Sequence, residues 1–154
     1  EDGDYPLLLQ GEKPKSAILQ QFRKTPRCVL CATSSFWQGV DVRGDALRAV
    51  VVDKLPFQVP TDPVVSARFS RMKMKGLDPF KEYAIPSAVI SLRQGLGRLV
   101  RSREDRGIMA VLDSRLWNKW YGRYFLESLD SIPVTDRVSD LESFWLGQGR
   151  SPEP

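Results

Sequence analysis

The stretch SLRQGLGRLVR, from Ser91 to Arg101, combines an apolar seam with a polar, cationic face. At about 100° per residue, a helix places its apolar side chains in one narrow sector, which holds Val89, Leu92, Leu96, Leu99 and Val100. The nearly opposite sector holds Gln94, Gly97, Arg98 and Arg101. Because a glycine inside a helix costs about 1 kcal/mol relative to alanine, Gly95 and Gly97 indicate that something approaches the backbone there.

Two arginines three residues apart, beside that gap, suit a polyanionic ligand. A guanidinium group offers a planar fork of donors that matches the oxygens of phosphate. The ordinary alternative is a solvated basic face that binds nothing. The paired glycines and Gln94 weigh against that alternative without removing it.

Composition limits the classes of function that this chain can have. Its 154 residues, 42% of them hydrophobic, are enough for one domain with a substantial core. A net charge of +4 favours an anionic partner without requiring one. The absence of histidine removes the commonest general base and a common metal ligand, which argues against most hydrolase and zinc sites. No apolar run approaches about 18 residues and no signal peptide is present, so we expect a cytoplasmic protein with no membrane partner.

The only two cysteines, Cys28 and Cys31, have the spacing of a redox or metal motif. Residues 27–33 nevertheless read as a buried strand, whose period of two places the thiols on opposite faces. We therefore expect two ordinary core cysteines in a reducing compartment.

Short apolar strands alternate with amphipathic helices along the chain. Because strands that are apolar on both faces are typical of parallel sheets, the pattern predicts an α/β fold. Residues 1–146 form the predicted domain, and residues 147–154 form a polar, flexible tail. Pro86 suits the first position of the basic helix. The predicted strands are 7–10, 28–33, 48–55 and 107–113, and the predicted helices are 16–23, 64–75, 79–84, 86–101, 117–129 and 140–145.

The loop after the second strand, which runs from Thr33 to Gly44, is a candidate ligand site. Parallel sheets bind ligands beyond the carboxyl ends of their strands. Hydroxyl groups and backbone N–H groups suit sugar-phosphate contacts, an exposed aromatic ring can stack on a base, and Asp41 can accept hydrogen bonds from ribose. The ordinary alternatives are that Phe36 and Trp37 are core residues, that Gly39 and Gly44 form turns, and that Ser35 caps a helix.

Together, this loop and the basic helix resemble motifs V and VI of superfamily 2 helicases, most closely those of the DinG/YoaA branch of the XPD-like group. The matching segments are TSSFWQGVDVRG at Thr33–Gly44 and QGLGRLVR at Gln94–Arg101, with DKLPF at Asp53–Phe57 and TDPV at Thr61–Val64 between them. The resemblance extends from about Leu7 to Trp145. It implies a RecA-like three-layer sandwich, in which helices flank a mainly parallel sheet, and it identifies the chain as part of a second helicase motor domain.

The resemblance also implies roles for individual residues. Arg98 and Arg101 resemble arginine fingers that reach the γ-phosphate of ATP held by a partner RecA-like domain, and Gln94 resembles the amide that senses this phosphate. The implied nucleotide-binding residues are Gly39, Asp41 and Gly97, and the implied DNA-binding residues are Thr33, Ser34, Ser35 and Gln38. Gln38 stands where many relatives have glutamate, which puts in doubt whatever that carboxylate does.

Several helicase motifs are absent from this sequence. It contains no GxxxxGK[ST] phosphate loop, no DExx box and no set of four cysteines for an iron–sulfur cluster. The chain begins with Glu1 rather than Met, so we expect a fragment of a longer parent. ATP and Mg²⁺ would then bind mainly to the N-terminal RecA-like domain of that parent, and any iron–sulfur cluster would lie outside this chain.

The leading hypothesis is the second motor domain of an ATP-dependent 5′→3′ DNA helicase, cytoplasmic and nucleoid-associated in a prokaryote. Such a domain supplies arginine fingers and part of the single-stranded DNA track, and it is inactive as an ATPase alone. One alternative is a stand-alone RecA-like module that binds nucleic acid or a protein without catalysis. Another is a nucleotide-binding regulatory domain. A phosphate loop upstream in the parent would favour the helicase.

Overall fold

The computed structural model describes residues 5–33, 36, 42, 47–99, 106–129 and 132–147, with the side chain of Arg98 excepted. Strands and helices alternate through most of these residues, which confirms the predicted α/β class. The strands are β1 (Leu7–Leu9), β2 (Val29–Cys31), β3 (Ala49–Val52) and β4 (Ile108–Val111). The helices are α1 (Lys15–Lys24), α2 (Pro63–Met74), a π-helical turn (Phe80–Ala84), α3 (Ile85–Leu99), α4 (Arg115–Asn118), α5 (Gly122–Glu127) and α6 (Val138–Trp145).

The described strands form two short parallel pairs. β1 pairs with β2 so that Leu7 is opposite Val29 and Leu9 is opposite Cys31. β3 pairs with β4, and the amide of Ile108 donates to the carbonyl of Arg48 while the amide of Leu112 donates to the carbonyl of Val52. Donor and acceptor both advance by four residues, so these two strands also run parallel. The complete RecA-like sandwich remains a prediction.

The chain divides into two compact units. The first comprises residues 1–50 and 94–109, and the second comprises residues 51–93 and 110–154. In the first unit, α1 covers one face of the β1–β2 pair. Its buried core consists of Leu8, Ile18, Leu19, Phe36 and Val42.

An aromatic cluster forms the core of the second unit. The Phe57 ring stacks on Phe80 at a centroid distance of 5.6 Å and meets Phe125 edge-on at 6.0 Å. Tyr121 meets Phe80 edge-on at 5.3 Å, and Phe125 is completely buried. Helix α2 in the same unit begins at Pro63, because the Asp62 carboxylate caps it by accepting from the amides of Val64 and Val65.

The prediction of one helix over residues 117–129 is wrong. Helix α4 ends at Asn118, Lys119 adopts an extended conformation, and α5 begins at Gly122. The break lets α5 fold back against α4: a Cβ built on Gly122 would lie only 1.9 Å from the carbonyl oxygen of Leu116. The close packing of Gly122 against α4 therefore accounts for two short helices in place of one continuous helix.

The basic helix does not begin at Pro86 as predicted. Helix α3 starts at Ile85 and continues directly from the π-helical turn, whose last hydrogen bond runs from the Ile85 amide to the Phe80 carbonyl. Because Pro86 has no N–H to donate to the preceding turn, the wider π turn accommodates the proline within a continuous helical segment.

The strands are not buried on both faces. Leu8 is buried, whereas Leu7 and Val51 are 57% and 64% exposed. The prediction of a buried strand over residues 27–33 is wrong as well, because Cys31 is exposed while Cys28 is half-buried. Both thiols are free, and burial raises the pKa of the Cys28 thiol, which disfavours the thiolate that redox or metal chemistry needs.

Within the described part of the chain, no helix is both long enough and apolar enough to cross a membrane.

Candidate nucleotide and nucleic-acid interface

Thr33 lies at the carboxyl edge of the β1–β2 pair, where the sequence predicted a ligand site. The backbone amide of Gln10 donates to the carbonyl of Cys31 at 2.9 Å and so extends the pairing beyond β1. The Oε1 atom of Gln10 then accepts from the backbone amide of Thr33 at 2.8 Å and from its hydroxyl at 3.1 Å. Both residues are exposed, so two polar side chains from neighbouring strands meet at this edge.

Most residues of the candidate loop Thr33–Gly44 lie outside the part of the chain that the structure describes. Ser34, Ser35, Gln38, Gly39 and Asp41 lie outside the described residues. Trp37 lies outside them too, but Phe36 is buried in the core of the first unit, with the ammonium group of Lys15 4.9 Å from its ring centroid. Phe36 is therefore a core residue, as the ordinary alternative held, and not an exposed stacking platform.

Helix α3 has the two faces that its sequence predicts. Leu92 and Leu99 are buried, whereas Gln94 and Gly97 are exposed. Among the described residues, no heavy atom lies within 4 Å of a Cβ built on Gly97, so their packing does not require a glycine at this position. The approach of a ligand to the backbone here remains a prediction.

The two predicted arginine fingers lie wholly or partly outside the described residues. Arg98 belongs to α3, but its side chain lies outside the described residues, as does all of Arg101. Thr33, Gln94 and Gly97 all belong to the first unit.

The structure also reveals an ion pair, between the buried Asp113 and the partly exposed Arg115, that was not predicted from the sequence. Asp113 follows β4, and its carboxylate accepts from the backbone amide of Leu55 at 2.8 Å. It also accepts from the guanidinium of Arg115, at 2.9 Å from Nε and 2.6 Å from Nη2. The ring of Phe57 lies 5.6 Å from the same guanidinium. The sequence signal was an Asp-x-Arg triplet directly after a core strand.

Electrostatics show that this ion pair is structural. Hydrogen bonds from Arg115 hold the pKa of Asp113 far below its usual range, despite the opposing effect of burial, and Asp113 raises the pKa of Arg115 in turn. Asp113 therefore remains charged throughout the physiological pH range and is unsuited to proton transfer. Its role is to tie the end of β4 to the segment that follows β3.

An open groove of about 800 Å³ lies in the second unit. The Lys81 ammonium is 5.6 Å from the Trp120 ring centroid, and the Arg123 guanidinium is 5.0 Å from the Tyr124 centroid. The groove is lined by Lys81, Glu82, Ile85, Pro86, Val89, Trp120, Arg123 and Tyr124. The sequence pattern predicts a helix over residues 117–129 and does not indicate this groove.

No group of three or more aspartate, glutamate, cysteine or histidine residues among those described could hold a metal ion.

Comparison with known proteins defines the class to which this chain belongs. Residues 1–132 match the model of the helicase C-terminal domain family, so the chain is a member of that family. Relatives named YoaA and DinG match this chain, which confirms the branch that its resemblance to motifs V and VI predicted.

Three relatives illustrate this similarity. The chain is 52% identical over 139 residues to the ATP-dependent DNA helicase YoaA of Escherichia coli, covering 90% of this chain and 22% of that protein. It is 41% identical over 138 residues to the ATP-dependent helicase DinG of Mycobacterium tuberculosis, covering 90% and 21%. It is 37% identical over 145 residues to the 3′-5′ exonuclease DinG of Bacillus subtilis, covering 92% and 16%. The chain thus spans about a fifth of the length of these relatives.

Proposed function

We propose that this chain is the C-terminal RecA-like motor domain of an ATP-dependent helicase that moves 5′→3′ along single-stranded DNA. Its partner is the N-terminal RecA-like domain of the same polypeptide, and its location is the cytoplasm, with the nucleoid. The observation that carries the proposal is the two-faced helix α3, with Leu92 buried and both Gln94 and Gly97 exposed. Family membership over residues 1–132 supports the same assignment.

The nucleotide side of the proposal rests on helix α3. Enzymes that transfer phosphoryl groups act mainly by positioning and by electrostatic stabilisation. Arg98 and Arg101 stabilise the charge that develops on the transferred group, and Gln94 contacts the same phosphate. Gly97 allows the nucleotide to approach the helix backbone, while Gly39 and Asp41 contact the ribose side. The N-terminal domain holds most of ATP and its Mg²⁺, so the isolated chain does not hydrolyse ATP.

The DNA side of the proposal rests on the carboxyl edge of the β1–β2 pair. Ligands bind beyond the carboxyl ends of parallel strands, and Thr33 lies there. Thr33, Ser34, Ser35 and Gln38 line the path of the DNA backbone. Thr33, Gln94 and Gly97 belong to the first unit, so the proposal assigns both DNA and nucleotide contacts to that unit.

The decisive experiment replaces Arg98 in the complete polypeptide. Arg98→Ala should lower DNA-stimulated ATPase turnover by on the order of 10³-fold or more, because arginine fingers contribute 10³–10⁵ in such enzymes. Arg98→Lys should restore little of it, since an ammonium group cannot reproduce the planar fork. Steady-state ATPase and thermal melting are measured on the same samples, and the melting temperature should not change.

Arg93→Ala is the matched control, because Arg93 is exposed on the same helix and has no proposed contact. It should retain normal turnover. Near-normal turnover in Arg98→Ala would contradict the proposed function. Complete absence of ATPase activity in the unaltered polypeptide would instead favour a binding module without catalysis.

A further inference from the structure

Both hydrogen-bond donors of Thr33 are used inside the protein. Its backbone N–H donates to Oε1 of Gln10 at 2.8 Å, and its hydroxyl lies 3.1 Å from the same oxygen. Because an amide oxygen can only accept, the hydroxyl must donate its proton to it. The phosphate oxygens of DNA are also acceptors. Thr33 therefore has no donor left for a phosphate in this arrangement, although the resemblance to motif V implies that it binds DNA.

The same two bonds determine the orientation of the Gln10 amide. Rotating the amide by half a turn would place its NH₂ group against the N–H of Thr33, leaving two donors face to face. The Oε1 atom therefore faces Thr33, and the two N–H groups of Nε2 point away from it. Gln10 is exposed, and Nε2 has no acceptor among the residues that the structure describes.

Gln10 also occupies a well-defined place in the fold. Its backbone amide donates to the carbonyl of Cys31, which holds the residue in register at the carboxyl edge of β1 and β2. Its side chain thus presents two oriented donors at the edge where parallel sheets bind their ligands. An amide nitrogen is a common donor to the phosphate groups of nucleic acids.

We propose that Gln10 is a DNA-binding residue, whose Nε2 donates to a phosphodiester oxygen of single-stranded DNA. Thr33 acts as a positioning residue that holds the amide in the donating orientation. The proposal rests on the proposed function and deepens it, because it names the side chain that contacts the backbone at this edge. Sequence reasoning missed Gln10 because it precedes Thr33 by 23 residues and belongs to neither motif.

The substitution Gln10→Glu separates DNA binding from a purely structural role. Glutamate keeps an oxygen that can accept both Thr33 donors, but it replaces the NH₂ group with a second oxygen that repels phosphate. In the complete polypeptide, affinity for a fluorescent oligothymidylate should fall roughly tenfold, as expected when a hydrogen bond to a charged group is lost. The melting temperature should not change, because glutamate keeps the contact with Thr33.

The matched control is Gln20→Glu, which makes the same charge change at an exposed position of α1. This variant should bind DNA like the unaltered protein. Oligonucleotides with one neutral methylphosphonate linkage give a second measurement. A neutral linkage at the contacted phosphate should weaken binding to the unaltered protein and have no such effect on Gln10→Glu.

The outcomes distinguish this proposal from the one on which it depends. Equal DNA affinity of Gln10→Glu and Gln20→Glu, in a polypeptide that binds DNA and hydrolyses ATP, would overturn the Gln10 assignment alone. An unaltered polypeptide that neither binds single-stranded DNA nor hydrolyses ATP would overturn both.

Discussion

Two sets of residues, one in each unit of this chain, differ in how they use glycine and polar side chains. In the first unit, Gln10, Thr33 and Gln94 are exposed, and no described residue comes within 4 Å of a Cβ built on Gly97. In the second unit, Asp113 is buried and fully hydrogen-bonded, and Gly122 is pressed against the carbonyl of Leu116. Tight packing accounts for Asp113 and Gly122, but it gives no structural reason for a glycine at position 97.

This difference separates stability from function. A residue with many buried contacts changes the free energy of unfolding when it is replaced, whereas an exposed residue changes it little. We therefore expect substitutions in the second unit to act mainly on stability. Substitutions at the edge and at helix α3 in the first unit should act mainly on ligand binding and turnover.

The largest effect on stability is expected for Gly122→Ala. The added Cβ would lie 1.9 Å from the Leu116 carbonyl oxygen, so α4 and α5 must separate. Overpacking typically destabilises by about 1–3 kcal/mol, and a contact this short with a backbone atom should lie at the upper end of that range. Urea unfolding of the unaltered and altered chains measures the difference. A decrease in the free energy of unfolding below roughly 1 kcal/mol would mean that the two helices can separate easily. It would contradict the distinction between a closely packed Gly122 and an unpacked Gly97.

A smaller, pH-dependent effect is expected for Asp113→Asn. The variant should lose about 2 kcal/mol near neutral pH, because a charge-assisted pair becomes a weaker neutral contact and Arg115 is partly exposed to solvent. Since the pKa of Asp113 is lowered by folding, the carboxylate stabilises the folded state above its ordinary titration range. That contribution is lost as the pH falls below about 4.

Melting temperatures between neutral and acidic pH test this prediction. The difference between the unaltered chain and Asp113→Asn should be constant near neutrality and shrink in acid. Asp53→Asn is the control, because Asp53 is an exposed carboxylate of the same unit. A difference that grows on acidification would contradict the assigned direction of the pKa.

The smallest change in stability is expected for Gly97→Ala, and its sign is opposite. A Cβ here meets nothing within 4 Å, so the helix propensity of alanine should stabilise the chain by about 0.5–1 kcal/mol. In the complete polypeptide, DNA-stimulated ATPase should nevertheless fall, because the methyl group obstructs the proposed approach of the nucleotide. The free energy of unfolding and the ATPase turnover should be measured for both Gly97→Ala and Gly122→Ala, so that the two substitutions can be compared directly. A stabilised variant with full turnover would remove Gly97 from the nucleotide site.

Local patterns predicted much of the fold. The helical period of about 3.6 residues correctly placed Leu92 and Leu99 inside and Gln94 outside. Alternating strands and helices correctly indicated parallel pairing. The break at Lys119 and the π turn before Pro86 were not predicted, because both depend on contacts or hydrogen bonds that a local pattern does not contain.

The candidate site was predicted less completely than the fold. Motifs identified Thr33, Gln94 and Gly97, and the structure describes all three as exposed. They did not identify Gln10, because its contact with Thr33 spans 23 residues of sequence. The implied DNA-binding role of Thr33 remains a prediction, and both of its donors face Gln10 in this structure. The roles of Arg98 and Arg101 remain predictions.

The sequence by itself determined the α/β class, the two faces of α3 and the helicase family, because periodicity and contiguous motifs are local properties of a chain. Only the tertiary structure decided that Asp113 is bound to Leu55, 58 residues away, and that Gln10 is bound to Thr33. Hydrogen bonding depends on distance and direction in space. Only the folded structure therefore shows which hydrogen-bond donors are paired within the protein and which remain available to a ligand.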